Sequence, residues 1–296
     1  VIRPTEIVLV IAIGLFWGLN WPAVKTILGE VPPWTLRAIG LSTGALLLMV
    51  VAYAARQSLA TNRRELIWLA GAGLFTVFGF NILAAFGQLF TATSTATIVA
   101  FTMPMWASFL SALFLREGLS TARIFSLGLG LLGLFVLVSD DAAAILSRPT
   151  GILFMLGAAV SWAIGTVLLK ARPWTVKPLA RSAWLVTFSA IPTAIGAFLF
   201  ETPLQQSLPS PTVLAVFAYH IVFPMVICHA AWVVLVDRLP VQLAVIGTLL
   251  IPIVGVLSSG LLLGDHLSWS KIAALALVLS SIVLAFWKPS ARAAGS

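Results

Sequence analysis

The chain has 296 residues, 60% of them hydrophobic and only 9% charged, with a formal net charge of +8. A soluble domain carries about a quarter charged residues, so water cannot be the solvent for most of this surface. The basic residues lie in small groups between apolar runs rather than in a patch mixed with aromatics, which argues against a nucleic-acid partner. The single cysteine, Cys228, rules out an intramolecular disulfide and a thiolate metal cluster.

Crossing a bilayer takes about 20 helical residues at about 1.5 Å each. In chain order, apolar stretches of that kind run 7–24, 38–55, 66–87, 95–115, 122–139, 151–169, 182–200, 213–236, 241–263 and 270–287, free of charge apart from Arg123 and Lys271 near the starts of the fifth and tenth. The first contains Trp17, Asn20, Trp21 and Pro22 and lacks a basic leader and a small-residue cleavage site, so it reads as a membrane helix, not a signal peptide. Because the chain begins at Val1, a few residues are expected to have preceded it. A polar patch, Gln88 to Thr97, separates the third and fourth stretches. Charges or prolines bound the others, as in Val31-Pro32-Pro33 and Leu208-Pro209-Ser210-Pro211. The expectation is an all-α integral membrane protein of ten transmembrane helices.

Orientation follows from the basic residues on alternate sides. With the N-terminus inside, thirteen Lys and Arg fall inside and four (Lys25, Arg37, Arg148 and Lys271) outside, which predicts two cytoplasmic termini. The chain also repeats itself. Pro104, Glu117, Leu119, Ser120 and Arg123 recur 148 positions later as Pro252, Asp265, Leu267, Ser268 and Lys271, and Trp17 and Lys25 recur 145 later as Trp162 and Lys170. A proline, an acid, a serine and a base in one register point to duplication, with halves 1–145 and 146–296. Five spans per half is an odd number, so the halves insert upside down relative to one another. Such inverted repeats are the architecture of many carriers, with the site near the midplane.

The pattern Ala84-Ala85, Thr93-Ser94-Thr95-Ala96, Pro104, Leu115-Arg116-Glu117, with its second copy Ala230-Ala231, Leu239-Pro240, Pro252, Leu263-Gly264-Asp265, resembles the repeat of the drug/metabolite transporter superfamily. Over nearly the whole chain the likeness is to its ten-helix EamA-type branch of bacterial exporters. The first helix, Phe16-Trp17-Gly18-Leu19-Asn20-Trp21-Pro22, is similar to the aromatic amino-acid exporter group. The resemblance implies an inner-membrane exporter whose partners are a small-molecule substrate and the lipid bilayer, with no obligate protein partner and no cofactor.

The acids are informative by position. All nine lie at span ends or in loops, whereas ion-coupled carriers place a carboxylate mid-membrane. The expectation is therefore a facilitator or exchanger, with a proton-coupled efflux carrier as the alternative that His220 and His229 keep open. His220 reads as a neutral histidine bonded to a neighbouring helix. His229 falls 148 positions after Asn81, and both are expected to face the interior, as helix glue or as cavity lining. Trp17, Asn20 and Trp21 share a helical face by their i, i+3, i+4 spacing. Trp17 and Trp162 are expected to face one another across a cavity suited to an aromatic or apolar solute. Phe78, Phe101 and Trp232 complete the candidate substrate-binding set.

Trp34, Trp68, Trp174, Trp269 and Trp287, at span ends, read as interfacial anchors. Pro104 and Pro252 are candidate gating hinges, each expected to kink its span and free a carbonyl. Gly128, Gly130 and Gly133 read as close helix packing. No phosphate loop is present, which leaves ATP-driven transport unsupported. A rival of another class, an intramembrane hydrolase, would need Ser258 or Ser259 paired with His229.

Overall fold

The computed structural model describes residues 4–115, 121–140, 149–232 and 249–286. The helices are α1 (Pro4–Leu28), α2 (Pro33–Ala54), α3 (Arg63–Phe90), α4 (Thr93–Phe114), α5 (Thr121–Asp140), α6 (Thr150–Lys170), α7 (Pro178–Phe200), α8 (Pro211–Trp232), α9 (Leu250–Leu263) and α10 (Trp269–Phe286). Seven are long and apolar enough to cross a membrane, and shorter apolar stretches in α5, α9 and α10 complete the ten. The described residues contain no strand. The fold is all-α and ten-helical, as the hydropathy pattern predicts.

Helix starts are set by local chemistry. Pro33, Pro178 and Pro211 sit in the first turns of α2, α7 and α8, where a missing N–H costs nothing. Asn62 and Ser210 cap α3 and α8, accepting from the amides of Glu65 at 2.8 Å and Val213 at 3.3 Å. These caps lie 148 positions apart. Because α2 begins at Pro33, Arg37 is not in a loop as its charge suggested. It sits on the second turn of the helix, only 4% exposed.

The ends of α2 and α7 are tied together reciprocally. Glu201, just beyond α7, accepts from the Trp34 and Thr35 amides at 2.9 and 2.7 Å. Gln57, just beyond α2, accepts from the Leu179 and Ala180 amides at 3.0 and 3.3 Å. The donor pairs are 145 positions apart. Each connecting loop also holds one non-glycine residue at positive φ, Arg56 at 53° and Thr202 at 42°.

The packing follows the same numbering. Helices five apart, α2 with α7 and α5 with α10, make extensive contact. The α1–α9 packing has a counterpart in α6–α4, and α3–α6 in α8–α1. Small residues let the backbones approach. Gly14 and Gly18 lie so close to α9 that a Cβ on either would stand 2.5 Å from Leu250 or Val254. Likewise a Cβ on Gly130 would meet Met105 at 2.1 Å, and one on Gly133 would meet Leu277 and Val278 at 3.2 Å, whereas Gly128 faces open space. Outward-facing Leu46, Val50, Phe135, Phe198, Leu199 and Leu261 are all more than half exposed, as a lipid-solvated surface requires.

Helix α4 consists of two helical segments, Thr93–Ala100 and Met103–Phe114, joined by a turn at Phe101 and Thr102. Pro104 therefore does not interrupt a continuous helix as expected. The break precedes it, and it occupies the first turn of the second segment, where no intrahelical N–H bond is needed. Pro252 similarly stands third in α9, and the chain just before Leu249 lies outside the described residues.

Candidate functional site

Two of the ten helices are wound differently in the middle. Leu74–Gly79 in α3 and Ile221–Cys228 in α8 are π-helical. The first segment moved by 148 positions falls inside the second. Shifting to i→i−5 bonding displaces carbonyls from the regular ladder, and such segments favour functional sites. The structure pairs these carbonyls with side chains from the first helix of the opposite half. Ser161 Oγ of α6 donates to the Phe75 carbonyl at 2.8 Å, and Trp17 Nε1 of α1 donates to the Pro224 carbonyl at 3.0 Å.

Around Pro224 the α1–α8 interface gathers aromatic groups. His229 Nδ1 lies 2.9 Å from the Pro224 carbonyl. A carbonyl can only accept, so the ring proton sits on Nδ1 and Nε2 keeps an acceptor lone pair. Trp17 meets the His229 ring edge-on with centroids 5.4 Å apart, and its indole lies 6.2 Å from that of Trp232. All three rings are partly buried rather than sealed. At the same interface Tyr219 stacks on Phe223, Phe16 packs edge-on and tilted against them, and Tyr219 Oη donates to the Phe16 carbonyl at 2.8 Å.

Asn20, nearer the α2 end, has a different partner. Its Oδ1 lies 2.6 Å from His220 Nδ1, and His220 is 1% exposed. His220 is thus bonded to a neighbouring helix, as expected, and Asn20 spends its oxygen there. Trp21 turns the other way, 8% exposed, with its ring 6.3 Å from Phe101 and against Gly255. The shared helical face of Trp17, Asn20 and Trp21 is therefore divided among three partners.

The structure brings together Trp17, His229 and Trp232 but leaves other candidates apart. Phe78 packs 6.1 Å from Trp34, in a cluster with Phe86 and Phe200. Trp34 is correspondingly a packing residue, its ring set over Gly196, more than a surface anchor. Asn81 donates back to its own helix, to Val77 at 2.8 Å. Trp162 makes no ring contact among the described residues, with Trp17 or otherwise. Of the other span-end tryptophans, Trp269 is 85% exposed, Trp174 donates to the Leu169 carbonyl at 2.7 Å, and Trp287 lies outside the described residues.

Among the described residues the bonded carboxylates lie away from this interior. Glu201 caps α2, Asp265 accepts from the Ser94 amide at 2.7 Å, and Glu30 accepts from the amide and hydroxyl of Ser210. Glu65 accepts from Thr61 and Thr175, with Arg172 at 3.6 Å. Each sits at a helix end or in a loop. Ser258 and Ser259 donate to the Gly255 carbonyl, and neither bonds His229, so no Ser–His pair exists there. No cluster of metal-ligating side chains occurs among the described residues.

The halves can also be compared with known proteins. The model of the EamA-like transporter family matches the chain twice, over residues 4–139 and again over 149–287. The chain belongs to the EamA-like transporter family. It is 28% identical over 284 residues to the uncharacterized transporter YvbV of Bacillus subtilis, covering 95% of this chain and 92% of that protein. It is 26% identical over 291 residues to a probable amino-acid metabolite efflux pump of Escherichia coli, covering 94% and 93%, and 24% identical to a protein of the same description from Salmonella typhimurium. A solved crystal structure superposes with a TM-score of 0.67 at 21% identity, covering 96% of this chain and 97% of the other, which supports the fold. This EamA-like protein is accordingly a multi-pass membrane transporter of the drug/metabolite transporter superfamily, and not an enzyme.

One residue of this interior escaped the sequence reading. Arg37 is buried beside the Asn20–His220 pair, since His220 Nε2 lies 3.3 Å from where a Cβ on Gly40 would stand, one turn along α2. The signal was available in Pro33, which marks an earlier helix start than the first uncharged residue.

Proposed function

We propose that this EamA-like transporter exports small neutral or zwitterionic metabolites, aromatic and hydrophobic amino acids foremost, across a bacterial inner membrane. The Trp17–His229–Trp232 group carries the reading. It offers flat apolar faces and one acceptor nitrogen at the π segment of α8, with no carboxylate among the described residues to repel or neutralise a zwitterion. The two probable amino-acid metabolite efflux pumps among its relatives support the substrate class.

Movement in this proposal is alternating access, with the halves 1–145 and 146–296 as inverted repeats rocking about the α1–α8 and α6–α3 interfaces. The α4 break at Phe101–Thr102, followed by Pro104, supplies a hinge, and Pro252 marks its counterpart. Both termini are cytoplasmic, on the basic-residue imbalance. Transport is uncoupled, by facilitation or exchange, because among the described residues the interior holds histidines bonded to neutral acceptors and no carboxylate.

The test is uptake of labelled phenylalanine, tryptophan and threonine into proteoliposomes, with and without a pH gradient. Saturable aromatic uptake indifferent to the gradient is expected. Accumulation driven by the gradient would replace the uncoupled mechanism with proton coupling through His229.

A further inference from the structure

The interior holds one group that the aromatic site does not use. Arg37 is 4% exposed, and its Nε has no hydrogen-bond partner. Among the described residues it makes no ion pair. The acids that stand nearest by helix geometry are already committed. Both oxygens of Glu201 are taken by the Trp34 and Thr35 amides, and both oxygens of Glu30 by Ser210. On its inner side Arg37 meets the His220–Asn20 pair. With Nδ1 donating to Asn20, His220 turns a neutral acceptor nitrogen toward this face of α2. Among the described residues no carboxylate pairs directly with the guanidinium.

A buried, unbalanced arginine is costly, and inside a membrane it marks a substrate path by default. Its planar fork matches a carboxylate with two parallel charge-assisted bonds. We infer that Arg37 receives the carboxylate of the transported amino acid, with Asn20 and His220 as the neutral floor of that subsite. Arg37 stands about 6 Å below the start of α2, counted at about 1.5 Å per residue. Trp17, eleven residues before the end of α1, lies deeper. The carboxylate subsite is therefore a station between the aromatic group and the α2 end of the protein. This inference deepens the amino-acid reading above and rests on it.

The test uses matched ligands on the full-length purified protein: phenylalanine against phenethylamine, and leucine against isoamylamine. Thermal stabilisation reads Kd and proteoliposome flux reads KM, for wild type, Arg37→Gln and Arg37→Lys. Arg37→Gln is expected to weaken phenylalanine and leucine about tenfold or more while leaving both amines unchanged, and Arg37→Lys to recover part of the loss. Without ligand, Arg37→Gln should melt at or above the wild-type temperature, because it removes an unbalanced charge.

Equal weakening of acids and amines, or unchanged binding of the acids, overturns the assignment. If Arg37→Gln does not fold, Arg37→Lys decides: weakened acids with unchanged amines sustain it, and acids and amines moving together overturn it. Binding of leucine but not phenylalanine, with dependence on Arg37, would leave the carboxylate subsite standing and remove the aromatic preference. Wild-type binding of phenethylamine as tightly as phenylalanine, with neither leucine nor isoamylamine bound, would do the reverse.

Discussion

The α1–α8 and α6–α3 interfaces each join the two halves at positions that correspond by number, yet they are built from opposite materials. At α1–α8, Asn20 bonds His220 across the gap, and Trp17 contacts His229 and Trp232. The residue 145 positions after Asn20 is Gly165, and the one 148 before His220 is Ala72. There the helices close until a Cβ on Gly165 would stand 2.5 Å from the Thr76 nitrogen and 2.9 Å from the Ala72 carbonyl. One interface separates its backbones with polar and aromatic side chains, and the other presses them together. The caps, the π segments and the positive-φ loops recur 145 to 148 positions apart. The aromatic and polar contacts occupy only one of the two interfaces.

Gly165→Val tests the pressed interface and should have the largest effect. The side chain would meet backbone rather than a flexible tip, with overpacking of about 3 kcal/mol. A sharp fall in melting temperature and loss of the monodisperse peak in size-exclusion chromatography are expected. Normal melting would mean that the two interfaces are less different than their geometry says.

Trp17→Ala and Trp162→Ala should split the two sides functionally. Losing the ring contacts of Trp17 is expected to lower kcat/KM for tryptophan about tenfold or more, at about 0.5–1.5 kcal/mol per aromatic pair plus lost burial. Trp162, with no ring partner, should change it by less than about threefold. Equal losses would place the substrate on the axis between the halves.

Asn20→Ala should be milder and should register in stability. It leaves a buried imidazole nitrogen unpaired, which costs about 1–3 kcal/mol. Asn20→Ser, which keeps a polar group there, should recover part of the melting temperature.

The smallest effect lies outside the membrane. Donation from the Ser210 amide and hydroxyl lowers the pKa of Glu30 below the ordinary carboxylate value. The resulting stabilisation is full above that ordinary value and is lost as pH falls through the depressed one. The melting-temperature gap between wild type and Glu30→Gln should therefore be present near neutrality and close in acid. A gap independent of pH would separate it from this carboxylate.

Much of the fold was legible because lipid makes a blunt demand: ten apolar runs, punctuated by charges and prolines. The expected duplication rests on Pro104, Glu117 and Ser120 keeping register with Pro252, Asp265 and Ser268, and the family model matches the chain twice. The site was legible only in part. Trp17 and His229 were both expected inside, but spacing on one helix does not say which neighbour each side chain meets. Trp17, Asn20 and Trp21 share an arc that three partners crowd. Hydropathy does not announce the π segments, and only the second carries a local mark, Pro224. Arg37 was missed because counting apolar residues starts a span after the last charge, whereas α2 starts at its proline.

The reciprocal ties between α2 and α7 bear on how the chain is made. Trp34 and the Glu201 that accepts from its amide are 167 residues apart. At about 5–20 residues per second, synthesis takes on the order of ten seconds to bridge that interval. For that time α2 stands in the bilayer with its first amides served only by water, while Gln57 waits for helix α7. The N-terminal half is therefore an unfinished product until its partner emerges, and severing the gene between the halves would require each fragment to find the other before either is complete.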